Sequence, residues 1–216
     1  MMNMKKMAFL FVAALAFAAC GSDDETTSGG GGGGGGGGSE TAGTDYTESE
    51  TFELVDMGTS VLWANMNLGS ETAYDKGDFY PWANLSGTIK DNANKTIAAC
   101  RVPSKAEWQE LWNTCGKVQV QGIHPYVKYG VVKGQSGYLF KSGITGNVIF
   151  FPFAGWDTGG AGTYFVNKKG SYWSSTYSGN NGYNDIAYCY TFAEGGTVVE
   201  ETSANWGLSV RVVSTK

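Results

Sequence analysis

Ten consecutive glycines, Gly29 to Gly38, divide this chain into parts that cannot share a core. Glycine pays the largest backbone entropy on ordering and brings no side chain to bury, so the run stays an open coil. Residues 26 to 50 add mainly Ser, Glu and Thr, with Tyr46 as the only aromatic. Such a coil spans roughly 5–6 Å × √n, which separates its ends by about 25–30 Å. The folded part of the chain must therefore follow it.

What precedes the coil reads as an address. Lys5 and Lys6 lead into thirteen apolar or small residues, Met7 to Ala19, closed by Ala18-Ala19-Cys20. A charged start, an apolar run and small residues at the cut make residues 1–19 a secretory signal peptide. The run is shorter than the ~20 residues a helix needs to cross a bilayer; the competing reading is a buried core helix. Cysteine after two alanines resembles a bacterial lipobox, with Phe17 where an aliphatic residue is usual. That resemblance implies lipidation of Cys20 and a partner in the membrane itself, since each buried acyl methylene contributes about 0.8 kcal/mol. Losing residues 1–19 removes two lysines and no acids, moving the formal charge from −5 to −7. Gly21-Ser22-Asp23-Asp24-Glu25 resembles the acidic export tag of Bacteroidetes lipoproteins, which implies an outer-membrane protein facing outward; the alternative is a plain solvated linker. Residues 20–51 are thus expected to be lipid anchor and tether, and residues 52–216 the domain.

The composition of the domain favours short strands. Charged residues are 16% of the chain, while glycine reaches 33 and aromatics comprise 7 Trp, 12 Tyr and 11 Phe. With only Arg101 and Arg211 as arginines, no basic stripe exists to neutralise phosphates, which argues against nucleic acid. One helix is expected from Ser104, capped by Glu107 three residues on, with Trp108, Leu111, Trp112 and Cys115 on one face and Gly116 at its end. Strands are expected at Ser60–Trp63, Tyr138–Phe140, Val148–Phe151, Tyr164–Val166, Tyr188–Phe192 and Leu208–Val212, and a second short helix near Tyr80–Asn84. Most tryptophans should be core, and both arginines should meet carboxylates or carbonyls within apolar surroundings.

Six blocks in order resemble one family. They are Trp63-Ala64-Asn65-Met66-Asn67-Leu68-Gly69, Tyr74-Asp75-Lys76-Gly77-Asp78-Phe79-Tyr80-Pro81-Trp82, Cys100-Arg101-Val102-Pro103-Ser104, Phe151-Pro152-Phe153-Ala154-Gly155, Tyr172-Trp173-Ser174-Ser175-Thr176 and Gly207-Leu208-Ser209-Val210-Arg211. Together they resemble the Fibrobacter succinogenes major paralogous domain of Bacteroidetes surface lipoproteins, with Met66 where relatives often carry cysteine. The resemblance implies an α+β, C-type-lectin-like fold related to the formylglycine-generating-enzyme scaffold: one or two helices on small twisted antiparallel sheets.

Residues for catalysis are scarce, and the expectation is a protein that is not an enzyme, with no cofactor and no metal. His124 is the only histidine and reads as a loop residue before Pro125. Cys100, Cys115 and Cys189 show no metal-ligand spacing; Cys100 with Cys115 is the most plausible disulfide in an oxidising compartment. The late cysteine pair of formylglycine-generating enzymes is absent, only Cys189 being present. Tyr183-Asn184-Asp185 faintly resembles a lectin calcium run, yet no further oxygen ligands accompany it.

The stretch from Tyr177 to Trp206 carries the candidate site. Alternation places Tyr188, Tyr190 and Phe192 on a core face and Cys189, Thr191 and Ala193 on a second, open face. Tyr177, Asn180, Asn181, Tyr183, Asn184 and Asp185 precede that strand, and Asn205 and Trp206 follow it. Tyrosine, tryptophan and asparagine suit binding loops because rigid rings and adaptable amides gain contact at little entropy cost; ordinary solvated turns are the alternative. The layout also resembles the variable regions of diversity-generating retroelement targets. The expected function is display of a ligand-binding domain at the cell surface, the ligand an unknown extracellular protein or glycan. The alternative is a structural or accessory subunit of a surface assembly, such as a pilus or polysaccharide-capture complex.

Overall fold

The computed structural model describes residues 51–85, 89, 99–116, 126–159, 162–193 and 196–216, all within one compact unit, Glu40–Lys216. Cys20, the tether and His124 lie outside the described residues. The strands are β1 (Leu54–Asp56), β2 (Val61–Ala64), β3 (Tyr80–Pro81) and β4 (Cys100–Arg101), followed by the helix α1 (Lys105–Gly116). Then come β5 (Tyr126–Val132), β6 (Gln135–Lys141), β7 (Val148–Pro152), β8 (Trp156–Asp157) and β9 (Thr163–Tyr164). The chain ends with β10 (Lys169–Asn180), β11 (Asp185–Ala193), β12 (Gly196–Ser203), β13 (Gly207–Leu208) and β14 (Val213–Thr215). They form four small sheets, β1-β2-β14-β4, β3-β13-β8-β9, β5-β6-β7 and β10-β11-β12, antiparallel throughout, so the class is α+β.

The helix starts where its cap says it should. The Ser104 hydroxyl accepts from the Glu107 backbone N–H at 3.2 Å, and the Glu107 carboxylate accepts from the Ser104 N–H at 2.7 Å, the two reciprocal bonds of a capping box. Arg101 donates to the same carboxylate at 2.8 Å. Trp108, Leu111 and Cys115 are buried and Trp112 half-buried, as the i, i+3, i+4, i+7 spacing requires.

Two apolar clusters fill the interior. One packs α1 against Trp63, Phe140, Phe151, Tyr172 and Phe192; Trp108 stacks on Tyr190 at 5.4 Å and donates its indole N–H to the Trp173 carbonyl at 3.1 Å. The second gathers Trp173, Leu208, Val210 and Val212, with Trp82, Trp156 and Trp206 half-buried at its margin. Arg211 runs between them, fully buried: its guanidinium donates to Asn67 Oδ1 at 2.9 Å, the Ala64 carbonyl at 3.1 Å and the Phe150 carbonyl at 2.8 Å.

Several local expectations change. The Tyr80–Asn84 segment is β3 followed by a 3-10 turn, Trp82–Leu85. The Tyr164–Val166 strand stops at Tyr164 because Phe165 and Asn167 turn through positive φ, both at 60°. Leu208–Val212 is not one strand: β13 belongs to one sheet, Ser209 bridges to Tyr172, and the chain then crosses into β14 of another. β12 was not expected. Cys100, Cys115 and Cys189 are free thiols, so the Cys100–Cys115 disulfide is absent from the structure.

Candidate functional site

β10 is two strands in one. Gly170 to Ser174 are buried, whereas Ser175 to Asn180 are exposed or half-exposed, and register shifts after Trp173 and Tyr177 mark bulges where the strand leaves the core. β11 returns from Asp185, whose residue pairs with Asn180, and Ile186 beside it pairs with Ser203 at the end of β12. Antiparallel pairing therefore puts the 181–184 loop and the 204–206 turn at the same end of the sheet.

There the polar side chains bind one another. Asp185 Oδ1 accepts from Tyr177 Oη and from Asn180 Nδ2, each at 2.9 Å. Those donors, Asn180 first, hold the Asp185 carboxyl below its ordinary range, and the carboxylate in turn raises the Tyr177 phenol. Asn181 Oδ1 accepts from the Tyr183 and Asn184 backbone N–H groups at 3.0 and 2.8 Å, and Asn180 Oδ1 from Gly182 N at 2.7 Å. Asn205 Nδ2 donates to Asn184 Oδ1 at 3.0 Å, tying turn to loop. Asn180, Asn181, Asp185 and Asn205 are exposed, Asn184 and Trp206 half-exposed. Tyr183 stands 92% exposed at the apex and Tyr177 49%. Tyr183 accordingly presents a large rigid ring to solvent on a framework whose amides are occupied with fixing its backbone.

Trp82 braces this end, a role that its position in the sequence did not signal. Its indole N–H donates to the Ser174 carbonyl and its backbone N–H to the Ala204 carbonyl, both at 2.8 Å, and its ring lies 5.8 Å from that of Tyr177. A second unexpected group lies on the neighbouring edge. Lys105 Nζ sits 3.7 Å over the Tyr188 ring, and Glu201 accepts from Ser178 at 2.7 Å, which lowers its pKa together with the Tyr188 hydroxyl. Tyr188 is thus half-buried on the central strand β11, rather than a core ring like Tyr190 and Phe192.

The second face of β11 is not the open surface that alternation predicts. Cys189 is 1% exposed and Thr191 3%. Trp156, Trp206 and Leu208 stand beside Cys189, while Ser171 and Glu200 bond Thr191 at 3.0 and 2.8 Å. Burial, with repulsion from Glu200 added, pushes the Cys189 thiol up to about 12. These two residues form a floor, and the tip residues form the exposed surface.

Among the described residues no three His, Cys, Asp or Glu side chains gather as a metal would need, and no helix is long and apolar enough to cross a membrane. No known family, curated protein or solved structure matches the chain.

Proposed function

We propose that the chain is a surface lipoprotein, cut before Cys20 and lipidated there, that displays a C-type-lectin-like ligand-binding domain on a glycine tether. Four small antiparallel sheets around one helix are compatible with that fold. The observation that carries the binding role is the tip: Tyr183 exposed at 92% above a hydrogen-bonded set of Asn180, Asn181, Asn184, Asp185 and Asn205. Tyr183 is far more exposed than the other described rings at the surface, Tyr177 at 49% and Phe165 at 47%, and recognition supplies a reason for it. The recognition surface comprises Tyr177, Asn180, Asn181, Tyr183, Asn184, Asp185, Asn205 and Trp206, with Cys189 and Thr191 buried farther along β11. The domain binds and performs no catalysis.

The test has two arms. Cys20→Ala should abolish incorporation of labelled palmitate and release the protein from outer membranes, and protease added to intact cells should digest the wild type. For binding, fluorescently labelled full-length protein is applied to whole cells from its native community; saturable binding lost in Tyr183→Ala supports the tip. Undiminished binding by that variant refutes it. Stoichiometric co-purification of fixed envelope partners would favour the assembly-subunit reading instead. Diversification by a retroelement further requires a nearby imperfect template copy of residues 170–213 differing at adenines, and a genome without one removes that proposal.

A further inference from the structure

The outer face of the β10-β11-β12 sheet carries a second constellation, set back from the tip. Thr191 Oγ1 on β11 donates to Glu200 Oε2 on β12 at 2.8 Å, and the Ser171 hydroxyl on β10 lies 3.0 Å from Thr191 Oγ1. A hydroxyl has one proton to give. Thr191 gives its own to the carboxylate, so Ser171 must donate to Thr191, and the chain of bonds runs one way and ends on Glu200. The two hydroxyls are buried, at 4% and 3% exposure, while Glu200 is exposed. A surface glutamate ordinarily samples many rotamers; one held from beneath by a buried donor is ordered before any ligand arrives, which lowers the entropic cost of binding.

Glu200 stands between two hollows. The larger, about 260 Å³, is bordered by Lys169, Thr191, Thr197 and Val198. The smaller, about 30 Å³, lies among Trp156, Ser171, Thr202 and Trp206 and has room for one water. Lys169 Nζ is 5.4 Å over the Phe165 ring, which stacks on Trp156 at 4.7 Å and 23°. Among the described residues no ion pair joins Lys169 to Glu200. The larger hollow, the trough, thus offers a fixed acceptor, a donor-only ammonium, threonine hydroxyls and the Val198 side chain on one concave face. A phosphate would meet the Glu200 carboxylate, and a quaternary ammonium would meet Lys169. A pyranose meets neither objection, because each hydroxyl both donates and accepts while its C–H faces suit Val198 and Ala193.

We propose that this trough is a saccharide subsite that seats one pyranose ring of a neutral glycan, Glu200 accepting from and Lys169 donating to neighbouring hydroxyls. The proposal rests on reading the domain as a ligand binder, and it names the ligand class and a seat beside the tip. The test titrates full-length protein in detergent with maltohexaose, cellohexaose and mannohexaose, following tryptophan fluorescence, to which Trp156 and Trp206 contribute from the adjoining smaller hollow that shares Glu200. At least one oligosaccharide should saturate below about 10 mM. Glu200→Gln should weaken it about tenfold or more, as expected when a charged acceptor is lost, and Thr191→Val severalfold through loss of the support alone. Tyr183→Ala, at the tip, should leave this titration unchanged. Near-UV circular dichroism checks that each variant keeps its packing; Glu200 is exposed, so its variant is the one that decides if Thr191→Val does not fold. No saturation by any of the three sugars, or equal affinity in Glu200→Gln, overturns the subsite. Saturation only by an extended lysine-rich peptide also overturns it. Loss of cell binding in Tyr183→Ala alongside any of these negative results leaves the tip standing and removes only the saccharide.

Discussion

The Asn205 side-chain amide reaches the Asn184 side-chain oxygen at 3.0 Å across 21 positions of sequence, so the hairpin loop and the following turn are joined side chain to side chain. Asn205→Ala removes that tie in solvent, where its net worth is small. We expect a stability change of about 0.5–1 kcal/mol by urea unfolding. Tyr183→Ala, which touches no core, should stay within about 0.5 kcal/mol of wild type. Both should weaken cell binding, Tyr183→Ala the more strongly, measured by flow cytometry with labelled protein.

Arg211 gives the opposite profile. Replacing it with Met keeps much of the volume but strips donors from Asn67 Oδ1 and from the Ala64 and Phe150 carbonyls. Each orphaned buried acceptor costs about 1–3 kcal/mol, so Arg211→Met should lose about 3 kcal/mol or more and prevent accumulation of folded protein at 37 °C. Urea unfolding at low temperature measures the loss.

Acid should weaken the helix start. The Arg101 bond, then the Ser104 groups, holds the Glu107 carboxyl below its ordinary value of 4.5. A carboxylate lowered in the folded state adds stability that is complete above its unfolded value and disappears as pH falls through the folded one. Stability should therefore decline below about pH 4.5 in the wild type, and Glu107→Gln should flatten that limb. Because Arg101 is nearly half exposed, the pH-dependent part should be about 1 kcal/mol or less. Ser104→Ala should cost about 1 kcal/mol near neutral pH and less below about pH 4.5, where the part that passes through the Glu107 carboxylate is already lost.

The thiols should be silent in the folded state. Burial pushes Cys115 and Cys189 up to about 12, and half-buried Cys100 is raised as well. At pH 8 iodoacetamide should modify Cys100 slowly and the other two only after denaturant is added, as read by peptide mass mapping. Rapid labelling of Cys189 in native protein would show that the trough floor opens.

Features set by a few neighbouring residues were legible in the sequence. The Ser104–Glu107 cap, the buried face of α1 and carbonyl or carboxylate partners for both arginines all follow from short-range pattern plus the demand that buried donors be met. The two tip loops meet, as one binding site requires, by way of β12, which runs back along β11. What failed needed knowledge of what lies opposite. Period two put Cys189 and Thr191 on one face, but the cover over that face comes from Trp156, Trp206 and Leu208, distant in sequence. β12 escaped notice because Glu200 and Glu201 depress strand propensity, and Glu200 makes sense only beside Thr191. Leu208–Val212 looked like a strand because apolar alternation does not reveal a change of sheet.

In the sheet ordered β1-β2-β14-β4, the final strand lies between elements from the start of the domain, and Arg211 just before it clasps backbone as far back as residue 64. A chain cut before Arg211 would hold neither the central ribbon of that sheet nor the clasp. Completion of that sheet thus waits for the stretch from Arg211 to Thr215, so its two sides are joined by the segment that comes last in it rather than in chain order.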